Sequence, residues 1–142
     1  MYRHILIPTD GSELPEHGVA HGLALAKTVG AKVSVIFVIE PFPEMTGRFL
    51  ETLARYVELR KEQATSELDR AANAAKEAGV SCETIQVENA QPHQGIIAAA
   101  EDKGCDLIVM SSHGRSGLSM LLIGSVTNKV LTHAKTPVLV CQ

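Results

Sequence analysis

Short apolar runs alternate with longer amphipathic segments along all 142 residues of the chain. The short runs are rich in valine and isoleucine and mostly lack strict polar–apolar alternation, which is typical of strands covered on both faces. They predict five strands, at residues 5–7, 32–39, 80–87, 106–110 and 137–141. The segments between them predict four helices, at 12–29, about 47–78, 92–103 and about 119–133. This alternation predicts an α/β fold with one open five-stranded parallel sheet.

Small residues mark the ends of the predicted helices. Ser12 is suited to cap the first helix, and Gly30 and Gly79 stand where a left-handed residue would end the first and the second. In the second helix, apolar residues recur at helical spacing opposite a charged face. Residues 40–47, with two prolines and a glycine, predict a loop that could cover a site after the second strand.

Length and composition predict a single domain over residues 1–142, because 45% hydrophobic residues supply one ordinary core. A net charge of -3 and a pI of about 6.0 imply no electropositive face, so we expect neither nucleic acid nor a membrane as partner. Three widely spaced cysteines favour reduced thiols over a disulfide frame or a zinc site. With no signal-peptide core in the sequence, we expect a cytoplasmic protein.

The carboxyl ends of the predicted strands are the candidate site, since ligands bind there in open parallel sheets, where the strand order reverses. The residues at these ends are Pro8, Thr9 and Asp10 in the first strand, Val38 in the second, and Met110 and Ser111 in the fourth. Asp10 could accept hydrogen bonds from ribose hydroxyls or bind Mg²⁺, or it could cap the first helix. The backbone at Val38 could hydrogen-bond the edge of an adenine ring.

A glycine-containing loop follows the fourth strand. From Ser111 the chain reads Ser-Ser-His-Gly-Arg-Ser-Gly, and nine residues separate Gly114 from the pair Gly124 and Ser125. A strand that passes through small residues into a glycine loop and a helix start presents backbone N–H groups that bind phosphate oxygens. The alternative is a plain strand-to-helix connection.

Four basic or imidazole side chains are further candidates. Arg115 could neutralise phosphate charge, although a loop arginine is also commonly solvated. His113 could orient a phosphate or shape the turn. His17 and His21 have the i, i+4 spacing of zinc ligands, but Gly18 stands where a metalloprotease has its glutamate, so we interpret them as surface histidines.

Other phosphate-binding and catalytic classes lack their residues here. No G-x-G-x-x-G follows the first strand, and Gly124-Ser125 lacks the lysine of a P-loop. A phospho-accepting receiver module would need an aspartate after its third strand and a lysine after its fifth, whereas Lys135 precedes the last strand. No nucleophile elbow of the form G-x-S-x-G surrounds Ser111.

Taken together, these motifs resemble the universal stress protein family over the whole chain. The resemblance rests on Ile-Leu-Ile-Pro-Thr-Asp-Gly-Ser at 5–12, the loop at 111–117, Gly-Ser-Val-Thr-Asn-Lys-Val at 124–130, and Thr-Pro-Val-Leu-Val at 136–140. ATP-binding members of the family carry Gly, two residues, Gly, nine residues, then Gly and Ser or Thr. Gly114, Gly124 and Ser125 match this pattern, and Ser111 replaces the first glycine. We expect the replacement to weaken or alter binding, with the Ser111 hydroxyl able to donate to phosphate.

The resemblance implies a Rossmann-like fold of the adenine nucleotide alpha hydrolase type with strand order 3-2-1-4-5. It also implies ATP, ADP or AMP in the cleft, with Asp10 as a candidate Mg²⁺ ligand, and a homodimer through the strand at 138–141. The nucleotide-binding residues would be Pro8, Thr9, Asp10, Val38, Met110, Ser111, His113, Gly114, Arg115, Gly117, Gly124, Ser125 and Val126.

From this resemblance we expect a stress-response sensor or regulator that acts on an unidentified protein. We expect at most slow ATP hydrolysis, because the sequence offers no evident general base to activate water. The alternative function is a dimeric stress scaffold that has lost nucleotide binding.

Overall fold

The computed structural model describes residues 1–10, 13–41, 50–112 and 123–142. Its strands are β1 (His4–Thr9), β2 (Lys32–Ile39), β3 (Cys82–Glu88), β4 (Leu107–Ser111) and β5 (Val138–Cys141). Its helices are α1 (Glu13–Val29), α2 (Leu50–Ala78), α3 (Pro92–Lys103) and α4 (Ser125–His133). The strands form one parallel sheet in the order β3-β2-β1-β4-β5, which confirms the predicted topology.

Helices cover both faces of the sheet. Side chains alternate between the two faces along each strand, so each strand packs against helices on both sides. Ile7 and Val35 pack beneath α1 and α2, whereas Leu6 and Ile108 pack beneath α3 and α4. All four side chains are fully buried. The apolar runs of the central strands therefore lack polar alternation because both of their faces are core.

Helix α1 lies close to the centre of the sheet through its glycines. Gly22 faces Ile7 and Val109, and a Cβ on Gly22 would overlap the Cδ1 atom of Ile7. One turn earlier, Gly18 faces the end of β4. This close packing fixes α1 over the junction of β1 and β4.

The helix ends follow most of the sequence predictions. Gly30 and Gly79 adopt left-handed conformations with φ of 75° and 73°, as expected for residues that end α1 and α2. The predicted start of the fourth helix near residue 119 is wrong, because Gly124 is extended (φ -60°, ψ 154°) and α4 begins at Ser125. In this extended conformation, the Gly124 N–H donates a hydrogen bond to the Ser112 carbonyl, just after the end of β4. Ser12 and most of the predicted 40–47 loop lie outside the described residues.

A polar network occupies the amino edge of the sheet, on the α3 side. His4 Nε2 lies 2.6 Å from Ser34 Oγ, which donates to Glu83 Oε1 at 2.7 Å. His4 Nδ1 lies 3.2 Å from the Lys103 carbonyl oxygen. The Asp106 carboxylate accepts hydrogen bonds from the backbone N–H of His4 and of the residue before it. We call His4, Ser34 and Glu83 the amino-edge network; it lies at the edge of the sheet opposite the carboxyl ends of the strands.

The three cysteines are free thiols, two of them buried and Cys82 half-buried. Burial raises the pKa of Cys105 to about 11, so this thiol stays protonated at neutral pH. Across the described ranges, no helix is long and apolar enough to span a membrane.

Candidate functional site

β1 and β4 stop pairing before either strand ends, and we call the space beyond their last pair the crevice. The two strands pair only at Ile5 with Leu107 and at Leu6 with Ile108, although β1 pairs with β2 as far as Thr9. The His4 carbonyl accepts a hydrogen bond on the β4 side, and the alternation of backbone groups puts the nitrogen of Pro8 on that side too. Since proline has no N–H to donate, the ladder cannot continue past it.

Two hydrogen bonds join the end of β4 directly to the start of α4, although the two lie more than ten residues apart in the sequence. The Gly124 N–H donates to the Ser112 carbonyl at 2.6 Å. The buried Thr127 donates through Oγ1 to the Ser111 carbonyl at 2.9 Å. The Ser112 N–H in turn donates to the Cys141 carbonyl of β5 at 2.7 Å. The two halves of the predicted motif therefore meet at the carboxyl edge of the sheet.

The amino terminus of α4 carries the positive end of the helix dipole. Its N-cap residue, Gly124, has no side chain with which to cap the first N–H groups, and its first turn contains no acidic residue. Ser125 is exposed at this end and Val126 is half-buried. Such a helix start offers backbone donors to an anion.

The predicted strand-end residues divide between the two faces of the sheet. Met110 and Val38 belong to the core beneath α3 and α4, and alternation places Pro8 on the same side. Thr9 is buried on the other side, where it lines a cavity of about 230 Å³ between α1 and α2. Ser111 also lies on that side, and its Oγ faces Gly18 of α1.

The half-buried Asp10 directly follows β1 at this edge. His113, Gly114, Arg115 and Gly117 lie outside the described residues, so their predicted roles remain predictions. His17 and His21 are exposed on α1, as expected of surface histidines. The described ranges contain no group of three or more His, Cys, Asp or Glu side chains that could hold a metal ion.

Sequence reasoning missed Ser112 and Thr127, which tie the motif together. Thr127 lies three residues before the fully buried Val130, so helical spacing places it on the buried side of α4. A hydroxyl on a buried helix face needs a hydrogen-bond acceptor. The sequence therefore indicated that Thr127 has a buried hydrogen-bond acceptor. Only the fold identifies that acceptor as the Ser111 carbonyl.

The model of the universal stress protein family matches residues 1–142. The chain belongs to the universal stress protein family. It is 36% identical to the universal stress protein MJ0531 of Methanocaldococcus jannaschii over 142 residues, which are 100% of this chain and 83% of that protein.

Solved universal stress protein structures share the fold. The UspA protein of Lactobacillus plantarum superposes with a TM-score of 0.90 at 20% identity, covering 99% of this chain and 98% of that one. A universal stress protein in complex with cAMP superposes with a TM-score of 0.70 at 25% identity, covering 99% of this chain and 97% of that one.

Proposed function

We propose that this universal stress protein binds an adenine nucleotide, ATP or a close relative, in the crevice between β1 and β4. The observation that carries the proposal is the hydrogen bond from the Gly124 N–H to the Ser112 carbonyl. It brings the glycine-serine pair at 124–125 beside the strand end, where the order of strands reverses. This is the position at which open α/β sheets bind ligands.

The phosphate groups would lie at the start of α4, where the helix dipole and backbone donors favour negative charge. Gly124 supports this placement, because its φ of -60° is open to any residue. Backbone conformation therefore gives no reason for glycine at this position. A close approach of another group to the buried Gly124 does, and we propose that this group is the phosphate.

The adenine and ribose would lie toward β2. Val38 ends the apolar part of that strand on the α3 side, and Asp10 stands beside it at the end of β1. The family member bound to cAMP supports a ligand with these three parts, because cAMP also consists of adenine, ribose and phosphate. Asp10 would accept from a ribose hydroxyl or bind a Mg²⁺ ion carried by the phosphates.

The regulatory role that we propose requires nucleotide binding and no catalysis. A nucleotide that binds one conformation of the crevice better than another shifts the protein toward that conformation, and a partner can read the shift. The residues assigned here bind and orient, and any hydrolysis would be slow.

The placement is tested by Gly124→Val with Mg-ATP in titration calorimetry. The branched side chain should exclude the phosphates and reduce affinity by at least about tenfold, the equivalent of about 1.4 kcal/mol. Ala134→Val places the same branched side chain at the far end of α4 and should leave affinity unchanged. Equal affinity of wild type and Gly124→Val would refute the placement, and a wild type that does not bind would favour a nucleotide-independent scaffold.

We also propose that the protein is a homodimer that pairs through β5. This strand ends the sheet, carries no charged residue, and exposes 37% of Leu139. Edge strands of this kind invite association with another chain. A second copy across a two-fold axis would cover the edge with a self-complementary contact.

A further inference from the structure

Helix α1 and the end of β4 meet at Gly18 and Ser111. A Cβ on Gly18 would lie 2.9 Å from Ser111 Oγ and 3.2 Å from the Ser111 backbone nitrogen. Both distances are too short for an ordinary contact, so a side chain at residue 18 would turn the Ser111 hydroxyl aside and push the Ser111 backbone away by a few tenths of an ångström. Gly18 is not among the residues with positive φ. Lack of space therefore explains the glycine at residue 18, although glycine inside a helix costs about 1 kcal/mol of stability relative to alanine.

Ser111 transmits its position to the proposed phosphate end of the crevice. Its carbonyl accepts the Thr127 hydroxyl, and the next carbonyl, that of Ser112, accepts the Gly124 N–H. These two bonds set the start of α4 relative to the sheet. A shift of Ser111 by a few tenths of an ångström would move both acceptors.

We propose that Gly18 is a positioning residue for the nucleotide site, an inference that rests on the proposed function. The empty space above Gly18 takes up the side chain of Ser111, the residue that replaces the first motif glycine. The hydroxyl lies on the α1 side of the sheet, whereas Val38 and Met110 lie on the α3 side. Residues 18 and 111 are therefore matched in size, and the serine is tolerated because residue 18 has no side chain.

The test is a double-mutant cycle of wild type, Gly18→Ala, Ser111→Gly and the double variant, each titrated with Mg-ATP. Gly18→Ala should weaken binding about fivefold or more, the equivalent of one lost hydrogen bond to the ligand. In the double variant the 2.9 Å contact to the hydroxyl is gone and only the 3.2 Å contact to the backbone nitrogen of residue 111 remains, so most of the affinity lost in Gly18→Ala should return. If Gly18→Ala merely destabilised α1, Ser111→Gly, which lies far from it in the sequence, would not restore affinity.

Gly22→Ala is the matched control, since its Cβ would meet the tip of Ile7 rather than the strand end. It should lower the thermal unfolding midpoint and leave affinity unchanged. Where the wild type binds Mg-ATP, an unchanged affinity in Gly18→Ala would overturn the positioning role alone. So would a loss of affinity in Gly18→Ala that Ser111→Gly does not restore. A wild type that does not bind would overturn the proposed function, and the positioning role with it.

Discussion

At the scale of single residues, Asp10 is the side chain whose role a binding experiment can resolve most sharply. It is half-buried at the carboxyl edge, one residue beyond β1. Asp10→Asn keeps the shape of the side chain and removes its charge. A lost hydrogen bond or ion contact to a charged acceptor costs about 1.5–3 kcal/mol, so we expect affinity for Mg-ATP to fall by about tenfold or more.

Titrations with Mg-ATP and with ATP in EDTA separate the two proposed roles of Asp10, binding of Mg²⁺ and acceptance of a ribose hydroxyl. If it binds Mg²⁺, the loss is confined to Mg-ATP; if it accepts from a ribose hydroxyl, affinity falls equally with and without the metal. A role only as a helix cap would lower the thermal midpoint and leave both affinities unchanged, and that result would remove Asp10 from the site.

Arg60 shows why some buried residues escape sequence reasoning. The charge of Arg60 predicts a solvent-exposed side chain, yet the residue is only 6% exposed. Its guanidinium lies 5.1 Å from the ring centre of Phe37 and donates a hydrogen bond to Gln63. Helical spacing did carry a signal, since Arg60 precedes the buried Ala64 by four residues. Its aromatic partner, however, lies on another element, and only the fold brings the two together.

At the scale of elements, the strands and helices were predictable where one local rule decides them. The runs of valine and isoleucine in the central strands and the glycines after α1 and α2 are such cases. The start of α4 was not predictable in this way, because the extended Gly124 just before it donates a hydrogen bond to Ser112, a residue distant in the sequence. The sequence was sufficient to place the candidate residues at the carboxyl ends of the strands, but the division of Met110 and Ser111 between opposite faces required the register of the strands.

The amino-edge network should make stability depend on pH. Burial, and then the nearby charge of Lys32, hold the pKa of His4 below its ordinary value of 6.5, against opposing effects of the Lys103 carbonyl and the carboxylates of Glu83 and Asp106. The unfolded chain therefore takes up this proton more readily than the folded one. The free energy of unfolding should fall as pH drops below about 6.5, by at most about 1.4 kcal/mol per pH unit for one proton.

Urea denaturation between pH 7.5 and 5.5 measures this dependence. In that range Glu83 remains ionised in both states, because the hydrogen bond from Ser34 lowers its pKa below 4.5 in the folded protein. His4→Gln should flatten the pH dependence, whereas His21→Gln, which removes an exposed imidazole from α1, should retain the wild-type slope. Equal slopes for wild type and His4→Gln would show that His4 contributes nothing to it.

At the scale of the whole molecule, the two edges of the sheet differ. β3 carries Glu83 and Glu88, and charged side chains on an edge strand oppose pairing with another chain. β5 carries none, and Leu131 of α4 adds an exposed apolar side chain, 40% accessible, to those of the last strand. The contrast in charge therefore favours β5 over β3 as the edge on which we propose self-association.

The homodimer should depend on the outward N–H groups of β5. The Cys141 carbonyl faces β4, where it accepts from Ser112, so alternation directs the N–H of Val140 outward. Val140→Pro removes that donor and leaves the β4–β5 ladder intact, while Leu139→Lys adds charge to the exposed face of the strand. Light scattering after size exclusion should give about twice the 15.2 kDa chain mass for wild type, and about one chain mass for both variants.

Gln86→Pro is the matched control on the opposite edge. The Asn89 N–H donates to β2, and alternation therefore directs the N–H of Gln86 outward from β3. The substitution removes the same backbone donor from the charged edge, so the dimer should persist, because β3 takes no part in it. A monomeric wild type at micromolar concentration would refute the interface, and a dimer that survives in both β5 variants but dissociates in Gln86→Pro would place it on β3 instead.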